Sequence, residues 1–358
     1  MLMKKILTYA LAAGLALVAC TKNEVKPVDV DHEITFQTIS TKAASAMDTD
    51  NKFVSYSYFL PQGKNWDANH SDAKLYFGPQ LIAYNTTANA WKAENTYFWP
   101  KQGSLTFFAW SLNTSAPALD PTPTCSHDKG IQLTSYDSKT SYKDVDFLVA
   151  EVAKNHTENT TLVPGKTWAK GVPTVFKHAL SKLAFKVQTV DDSDNAYDYS
   201  ANHTTITVKS IELQSVKNKR GYSQDWQATP AASKHTWSDV TGTEHIAYPV
   251  FTGNQVATST LSDLVKSATD YEIVIPQEFD SSASTEDKLK IVYDITTSYT
   301  STPVVETVTQ FVPLATVYPN GWEPNKHYTL TIKLSLKEIY WAPTVENWEV
   351  VTTTPHTF

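Results

Sequence analysis

The sequence is poor in glycine and lacks the common catalytic motifs. Its 11 glycines in 358 residues form no phosphate-binding loop, and there is no G-x-S-x-G elbow, no H-E-x-x-H and no C-x-x-C. The net charge of −7 at pH 7 is spread without blocks of like charge, so no basic surface for nucleic acid is expected. We therefore predict a protein that is not an enzyme, holds no metal and needs no cofactor.

Long runs of alanine, leucine, glutamate and lysine are also missing, and their absence argues against a helical fold. Strand-forming residues are abundant instead, with 10 tryptophans, 18 tyrosines and 14 phenylalanines. Most of the tryptophans within strand-like runs are interpreted as core residues, although they could also stack on sugars: Trp91, Trp99, Trp110, Trp322, Trp341 and Trp348.

The N-terminus reads as an export signal that ends in a lipid-attachment site. Lys4 and Lys5 precede an apolar run that is too short to span a bilayer comfortably. The run ends in Leu-Val-Ala-Cys, which has the L-x-[AG]-C form of a bacterial lipobox. We predict a signal peptide over 1–19 and acylation of Cys20, with two or three acyl chains that suffice for stable anchoring. The alternative is an ordinary signal peptide with an accidental cysteine.

Cysteine is almost absent from the rest of the chain. With Cys20 assigned to the lipid, Cys125 has no partner, so the exported fold is not held by disulfides. A buried or loop thiol is the expected state of Cys125.

Three further groups could be offered as functional sites. Asp144 and Asp146 share a strand face, but no third group accompanies them. The Asp191–Asn195 stretch lacks the glycine and the closing glutamate of a calcium loop. His32 and His178 are expected to be core or strand-edge histidines. None of these groups is predicted to be functional.

Alternating apolar residues predict many short strands. Phe53–Leu60, Trp91–Trp99, Ser104–Leu112 and Val145–Val152 are strand candidates in the first half. In the second half, alternation is clearest over Leu183–Gln188, Ile206–Leu213, Tyr271–Ile275, Leu289–Ile295 and Tyr328–Leu336. In Ile206–Leu213 the phase slips between Val208 and Ile211, as at a β-bulge, and only Leu261–Ala268 reads as briefly helical. Such a pattern indicates antiparallel β-sandwiches, with a linker at Thr167–Pro173.

A solitary strand precedes all of these elements. Val28, Val30, Ile34 and Phe36 fall on one face of a strand, and acidic or polar residues fall on the other. The small polar segment Thr41–Asn51 follows as a loop. This strand lies directly behind the predicted lipid anchor.

Four stretches together resemble the fimbrillin family, the type V pilins of Gram-negative anaerobes. They are VPTVFKHALSKLAFKV (Val172–Val187), YEIVIPQ (Tyr271–Gln277), GWEPNKHYTLTIKLSL (Gly321–Leu336) and IYWAPTVENWEV (Ile339–Val350). Each pattern is weak alone, but their order over most of the mature chain is specific.

The resemblance implies an all-β protein with two tandem transthyretin-like β-sandwich domains after a lipoprotein signal peptide. We place these domains at 49–172 and 173–358, after a lipidated extension over 20–48. The resemblance also implies export to the outer membrane, proteolytic removal of a leading strand, and assembly with other fimbrial subunits into a homo- or hetero-polymer. A host or bacterial surface receptor is a further expected partner.

The leading strand can be argued on physical grounds to be a placeholder. Nine residues at about 3.3 Å each would cover roughly 30 Å of groove. Burial of Val28, Val30, Ile34 and Phe36 would contribute about 6–12 kcal/mol before opposing terms. Its loss would expose a groove that a strand from another subunit could fill.

The processing site departs from a known family pattern. Some family members are cut by an arginine-specific protease, but the single arginine of this chain is Arg220. We predict cleavage at Lys42, within the small polar loop. The donor strand is predicted at 346–358 through Trp348, Val350 and Val351, although these residues could instead complete their own sandwich.

Three roles remain open from the sequence. A shaft subunit needs both an acceptor groove and a donor tail. A tip or anchor subunit is the first alternative, because a tip could dispense with the donor tail. A lipid-anchored glycan-binding adhesin that does not polymerise is the second.

Overall fold

The computed structural model describes residues 32–38, 47–138, 145–161, 170–229, 234–264, 272–282, 286–337 and 339–348. Its contacts divide the chain into two units, Met1–Glu33 and Ile34–Phe358, and all of the described strands belong to the second. More than half of these residues lie in β-strands and few lie in helices, which confirms the predicted all-β class.

Twelve strands precede residue 180 in the described chain. They are β1 (Phe36–Thr38), β2 (Phe53–Leu60), β3 (Lys74–Asn85), β4 (Ala90–Ala93), β5 (Ser104–Ser111), β6 (Thr124–Ser126), β7 (Gly130–Asp137), β8 (Leu148–Ala150), β9 (Ala153–His156), β10 (Thr160–Thr161), β11 (Lys170–Thr174) and β12 (Phe176–His178).

The remaining described strands form the second half. They are β13 (Ser181–Thr189), β14 (Thr204–Lys217), β15 (Lys219–Ser223), β16 (Thr236–Asp239), β17 (His245–Ala257), β18 (Ser262–Asp263), β19 (Glu272–Val274), β20 (Lys288–Thr297), β21 (Val304–Pro313), β22 (Lys326–Leu334) and β23 (Ile339–Asn347).

Helical segments in these ranges are short. They are α1 (Trp66–Asn69), α2 (Leu314–Val317) and two 3₁₀ turns, His70–Asp72 and Tyr199–Asn202. A bilayer crossing needs about 20 apolar helical residues, and no helix in the described ranges approaches that length.

The first half is built around a sheet of ten strands in the described chain. Their order is β10-β11-β1-β4-β3-β2-β5-β8-β12, and β9 also pairs with β5. Strand β1 therefore has a neighbour on each side. It runs parallel to β11, with Phe36 opposite Val172, and antiparallel to β4, with Phe36 opposite Trp91. Parallel pairing was not expected from the sequence.

Strand β5 shows why this sheet is stable. All eight of its residues are buried, because successive side chains point to opposite faces and both faces are covered. Leu105 and Phe107 enter one cluster of buried residues, while Phe108 and Trp110 enter another. The continuous apolar run in the sequence is thus one strand that contributes side chains to two cores.

The first of these clusters, the leading-segment core, surrounds β1. Its buried members are Ile34, Phe36, Met47, Phe53, Phe77, Ile82, Trp91, Trp99, Leu105, Phe107, Ala109, Leu148, Ala150, Val172 and Phe176. Most come from β1–β5, and the others come from β8, β11, β12 and the segments beside strands.

The second cluster, the central core, lies between the large sheet and a smaller sheet of order β16-β15-β7-β6. Strand β7 precedes residue 173, whereas β15 and β16 follow it. The central core likewise joins Phe108 and Leu133 to Tyr222 and Trp237. The division into domains at 172/173 stays a prediction, and the described part of the expected linker, from Lys170, is strand β11.

Two more sheets enclose a C-terminal core. One has the order β18-β13-β22-β23, with β19 also paired to β13, and the other has the order β17-β14-β20-β21. Buried residues of both sheets, such as Val187 and Ile332 from the first and Val208 and Ile291 from the second, pack together as in a β-sandwich. Strands β13 and β22 are parallel over eight paired positions, from Lys182 opposite His327 to Thr189 opposite Leu334.

The predicted β-bulge is confirmed, because the pairing of β14 with both neighbours shifts between Val208 and Ser210. The helix expected over Leu261–Ala268 is wrong where it is described, since Ser262–Asp263 pair with β13 as a strand. The strand predicted over Trp91–Trp99 ends early, at Ala93. Both errors arise because short apolar runs do not distinguish a strand from a turn or a helix.

A glycine allows β1 to lie close to β11. A Cβ atom placed on Gly171 would lie 2.7 Å from the backbone carbon of Phe36 and 2.9 Å from its oxygen. Backbone atoms cannot rotate away as a side chain can, so any larger residue must push the two strands apart.

A partly buried histidine makes the stability of the fold depend on pH. His235 Nδ1 lies 2.7 Å from the Tyr222 hydroxyl. Burial, helped by the ammonium groups of Lys177 and Lys234, lowers the pKa of His235 from 6.5 to about 4. Between these two values the unfolded chain binds a proton that the folded chain does not. Stability is therefore full above pH 6.5 and falls as the pH drops towards 4.

We predict that Gly171→Ala loosens β1 specifically. The expected loss is about 1–3 kcal/mol of unfolding free energy, as for overpacking, together with faster hydrogen exchange of the Ile34–Thr38 amides. The matched control is Gly253→Ala, whose added Cβ would meet the side-chain ring of Phe251 at 3.0 Å. Equal exchange rates in wild type and Gly171→Ala would show that the two strands do not constrain each other.

We predict that His235→Asn flattens the acid limb of the stability profile. Wild-type stability should fall by about 3 kcal/mol between pH 6.5 and 4 on account of this group, and the variant should lack that part of the decline. Urea unfolding at several pH values measures the difference. The exposed His203, changed to Asn, is the control, and a variant profile parallel to wild type would contradict the assignment.

Candidate functional site

The candidate site is the leading segment, Ile34–Thr38, and the place that it fills. The Ile34 N–H donates to the Tyr97 carbonyl oxygen at 2.8 Å, and the Val172 N–H donates to the Thr35 carbonyl oxygen at 2.8 Å. The segment is thus hydrogen-bonded on both sides, to the chain after β4 and to β11. Of the predicted removable strand, Val28 and Val30 lie outside the described residues.

The two described apolar residues of that strand are both buried. Ile34 is 3% exposed and Phe36 is 2% exposed. The Phe36 ring meets Phe53 and Phe107 edge to face, with centroids 5.7 and 5.6 Å apart. At about 1.5–3 kcal/mol for each buried side chain, this pair contributes roughly 3–6 kcal/mol before opposing terms.

Side-chain hydrogen bonds add to the strand pairing. The Oδ1 atom of Asn159 accepts from the Thr35 N–H at 3.1 Å, and the Thr35 hydroxyl donates to the Lys170 carbonyl oxygen at 3.2 Å. Asn159 was not identified from the sequence. No local pattern marks it, because its partner lies 124 positions away.

The predicted cleavage residue, Lys42, lies outside the described residues. The nearest described residues on its two sides, Thr38 and Met47, are both buried. In the sequence, Lys42 therefore lies between two buried residues, Thr38 and Met47.

The only arginine is committed to the fold. Arg220 Nε donates to Asp239 Oδ1 at 3.0 Å, and its other two nitrogens donate to the carbonyl oxygens of Pro276 and Trp237. The side chain is 13% exposed, and the residue lies in β15, which is paired on both sides. An arginine-specific protease would have to open this sheet before it could cut there.

At the other end of the described chain, Trp348 follows the edge strand β23. Its ring is 7% exposed and stacks on His178 at a centroid distance of 3.8 Å. The backbone N–H of Trp348 donates to the Asn325 carbonyl oxygen at 3.0 Å. Val350 and Val351 lie outside the described residues, so the predicted donor segment is described only as far as Trp348.

His178 is a core residue, as predicted. Its Nδ1 atom lies 2.8 Å from Asp146 Oδ2, and both side chains are largely buried. Asp144, the other member of the supposed carboxylate pair, lies outside the described residues. The arrangement of Asp146, His178 and Trp348 attaches the start of the chain's tail to its own core.

The other sequence candidates have structural roles where they are described. Asp191 Oδ1 accepts from the N–H groups of Ser193 and Asn195 and closes a turn, and these bonds lower the pKa of its carboxyl. Cys125 is a free thiol whose pKa is raised by burial. Cys20 lies outside the described residues, and the described ones contain no cluster of three or more metal-ligating side chains.

Five of the six named tryptophans are buried, as predicted: Trp91, Trp99, Trp110, Trp322 and Trp348. The side chain of Trp341 lies outside the described part of the chain.

Three solved structures of low sequence identity are similar to this chain, and the first of them shares its fold. A fimbrial protein from Bacteroides vulgatus is 17% identical, with a TM-score of 0.59 over 88% of this chain and 99% of that one. A candidate cell adhesion protein from Bacteroides uniformis is 15% identical, with a TM-score of 0.48 over 88% and 99%. The tip fimbrial protein Mfa3 from Porphyromonas gingivalis, truncated at its C-terminus, is 12% identical, with a TM-score of 0.37 over 88% and 98%.

No curated protein matches the sequence significantly. The sequence profile of the family described as fimbrillin-like, by contrast, matches residues 36–348, which is most of the chain. This span starts at Phe36 in β1 and ends at Trp348. The chain therefore belongs to the fimbrillin-like family.

Proposed function

We propose that this protein is a structural subunit of a surface fimbria and that it polymerises by exchange of its leading strand. The observation that carries the proposal is the interior position of β1. Strands β11 and β4 bond to it from opposite sides, and its apolar side chains lie within the leading-segment core.

Removal of the leading segment would leave a gap inside the sheet. The N–H and C=O groups that β11 and β4 direct at β1 would lose their partners, and such unpaired rows are sites for strand addition. Phe53 and Phe107 would at the same time lose their contact with the Phe36 ring. A replacement strand needs an apolar residue at the position of Phe36 to restore that contact.

Cleavage at Lys42 would release the leading segment and leave β2 in place. The cut would fall between Thr38 at the end of β1 and Met47, which stays packed in the leading-segment core. Arg220 is a poor alternative because its strand is paired on both sides.

The donor would be the tail that follows Trp348, drawn from residues 349–358. The residue before this tail, Trp348, stacks on His178. A donated strand would therefore extend from a fixed position on its own subunit. Donation from the end of one subunit to the front of another is a head-to-tail contact, and such contacts propagate as fibres.

The chain would reach the cell surface as a lipoprotein, with acyl groups on Cys20 and insertion in the outer membrane until cleavage frees it. The fimbria built from it would serve adhesion to a host or bacterial surface receptor. Membership of the fimbrial family supports the surface location.

A tip subunit is the second candidate. The observation that favours it is the packing of Trp348, the first apolar residue of the supposed donor, within its own chain. If the tail served only to complete its own fold, the subunit could accept a strand but could not donate one.

We predict that Lys42→Gln blocks assembly. Without the lysine the leading segment stays attached, so the gap never opens. Electron microscopy after limited proteolysis should show fibres for wild type and none for the variant, and the mature wild-type N-terminus should be Ala43. The matched control is Lys101→Gln, at an exposed loop lysine, which should assemble normally. Assembled material that begins at Cys20 would exclude the cleavage step.

We predict that deletion of residues 349–358 abolishes the polymer but leaves a folded subunit. The deletion spares Trp348, so thermal unfolding should shift by no more than a few degrees. Mixing the truncated subunit with wild type should cap fibres, because it accepts a strand and offers none. Fibres of normal length from the truncated subunit alone would contradict tail donation.

A further inference from the structure

A cleft beside Trp226 gathers positive charge. It contains a cavity of about 440 Å³ whose lining includes Lys154, Lys177 and Lys234. A neighbouring cavity of about 380 Å³ shares Lys154, Trp226 and Lys234 with it. We call these two adjoining spaces the lysine cleft. Its lysines come from three segments, β9, β12 and the chain before β16, which only the folded sheet brings together.

The positive charge of the cleft is only partly neutralised. Lys154 is 2.5 Å from Asp67 and lies over the Trp226 ring at 4.6 Å. Lys177 is 3.7 Å from Glu151. Lys234 has no carboxylate within ion-pair distance among the described residues. Both Lys177 and Lys234 act on His235 by lowering its pKa. Three ammonium groups thus face two carboxylates, and an anion that enters the cavity could pair with Lys234 and share Lys177 with Glu151.

Neutral polar groups lie beside the lysines. The Tyr222 hydroxyl, whose pKa is raised by burial, lies 2.7 Å from His235 Nδ1. This bond occupies Nδ1, so Nε2 is the ring nitrogen that remains for a ligand. The Oδ1 atom of Asn325 accepts from the His178 N–H, so its NH₂ group is the side-chain donor that remains. His235 and Asn325 both line the 440 Å³ cavity.

We propose that the lysine cleft binds an acidic sugar, a pyranose ring that carries a carboxylate or a sulfate group. The acidic group pairs with Lys177 and Lys234, and the ring hydroxyls form hydrogen bonds with His235 and Asn325. The C–H faces of the ring lie along Val152 and the methylene chain of Lys154, which covers the buried Trp226 ring. The adjoining cavity has room for the next sugar of the chain.

The size of the cleft separates this ligand from a simple ion. Cavities that hold organic ligands measure roughly 300–1,000 Å³, and the cavity here falls within that range. A phosphate or sulfate ion would fill a small part of it and would leave the neutral polar groups unused. The mixture of cations, neutral polar groups and the aliphatic surface of Val152 and Lys154 suits a ligand that has an acid, hydroxyls and an apolar face.

The test is titration calorimetry on the full mature subunit with three probes that share a lactose unit: sialyllactose, sulfated lactose and lactose. We expect binding of one or both acidic probes, weakened by salt, and none of lactose. Binding of sialyllactose alone would assign a carboxylate ligand, and binding of sulfated lactose alone would assign a sulfate ligand. Equal binding of lactose, or no binding of either acidic probe, would overturn the proposal.

Two variants locate the site. Lys177→Gln and Lys234→Gln should each weaken binding of the acidic probe at least tenfold, because each removes a charged hydrogen bond. The matched control is Lys333→Gln. Lys333 is 22% exposed and paired with Asp194, as Lys177 is 22% exposed and paired with Glu151, but it does not line the cleft. Unchanged affinity in both cleft variants, or competition by poly-glutamate as strong as by sialyllactose, would contradict a sugar site there.

The proposal is independent of polymerisation. A subunit that binds the acidic probe but forms no fibre after proteolysis would retain the sugar site and lose the fimbrial function. The reverse result would retain the fimbrial function and lose the sugar site.

Discussion

An interior strand of a sheet is hydrogen-bonded on two sides, and this constraint governs the first half of the molecule. Strand β1 is short, but β11 and β4 both depend on it for partners, and Phe36 holds the aromatic rings of β2 and β5 together. A protein that ended its first sheet with an edge strand could lose that strand with little damage. This one cannot, because the loss would divide a sheet and open a core at the same point. At Gly171 the backbones of β1 and β11 lie so close that a Cβ atom would clash with the Phe36 backbone.

Local patterns in the sequence were sufficient for the class of fold and for several strands. Strand β2 begins and ends where its apolar run does, and the phase slip near Val208 appears as a shift in pairing. Such features are predictable because side-chain alternation follows directly from strand geometry. The order of the strands was not predictable. Parallel pairing of β1 with β11 and of β13 with β22 joins segments that are distant in sequence, and no local pattern indicates which distant strand becomes a neighbour.

The candidate sites show the same limit. Ile34 and Phe36 could be identified because they alternate within one strand, and both are buried. Asn159 could not be, since its hydrogen bond to Thr35 depends on two loops meeting. The lysine cleft likewise draws each ammonium group from a different segment, and in the sequence each of these lysines resembles any solvated surface lysine. The role of Trp348 in a donated strand stays a prediction, and its stacking on His178 could not be foreseen because the two residues lie far apart in the sequence.

The parallel pairing of β13 with β22 also sets the order in which the second half folds. Hairpins such as β20 with β21 join neighbouring segments and can form as soon as both strands exist. Strand β22 is the inner neighbour of β13, but it is nearly the last strand of the described chain. The C-terminal core therefore forms completely only when almost the whole polypeptide is present. Before β22 is added, apolar side chains of β13 lack part of their packing. A folding chain that still lacks β22 would therefore expose apolar surface of β13, and such surface promotes aggregation.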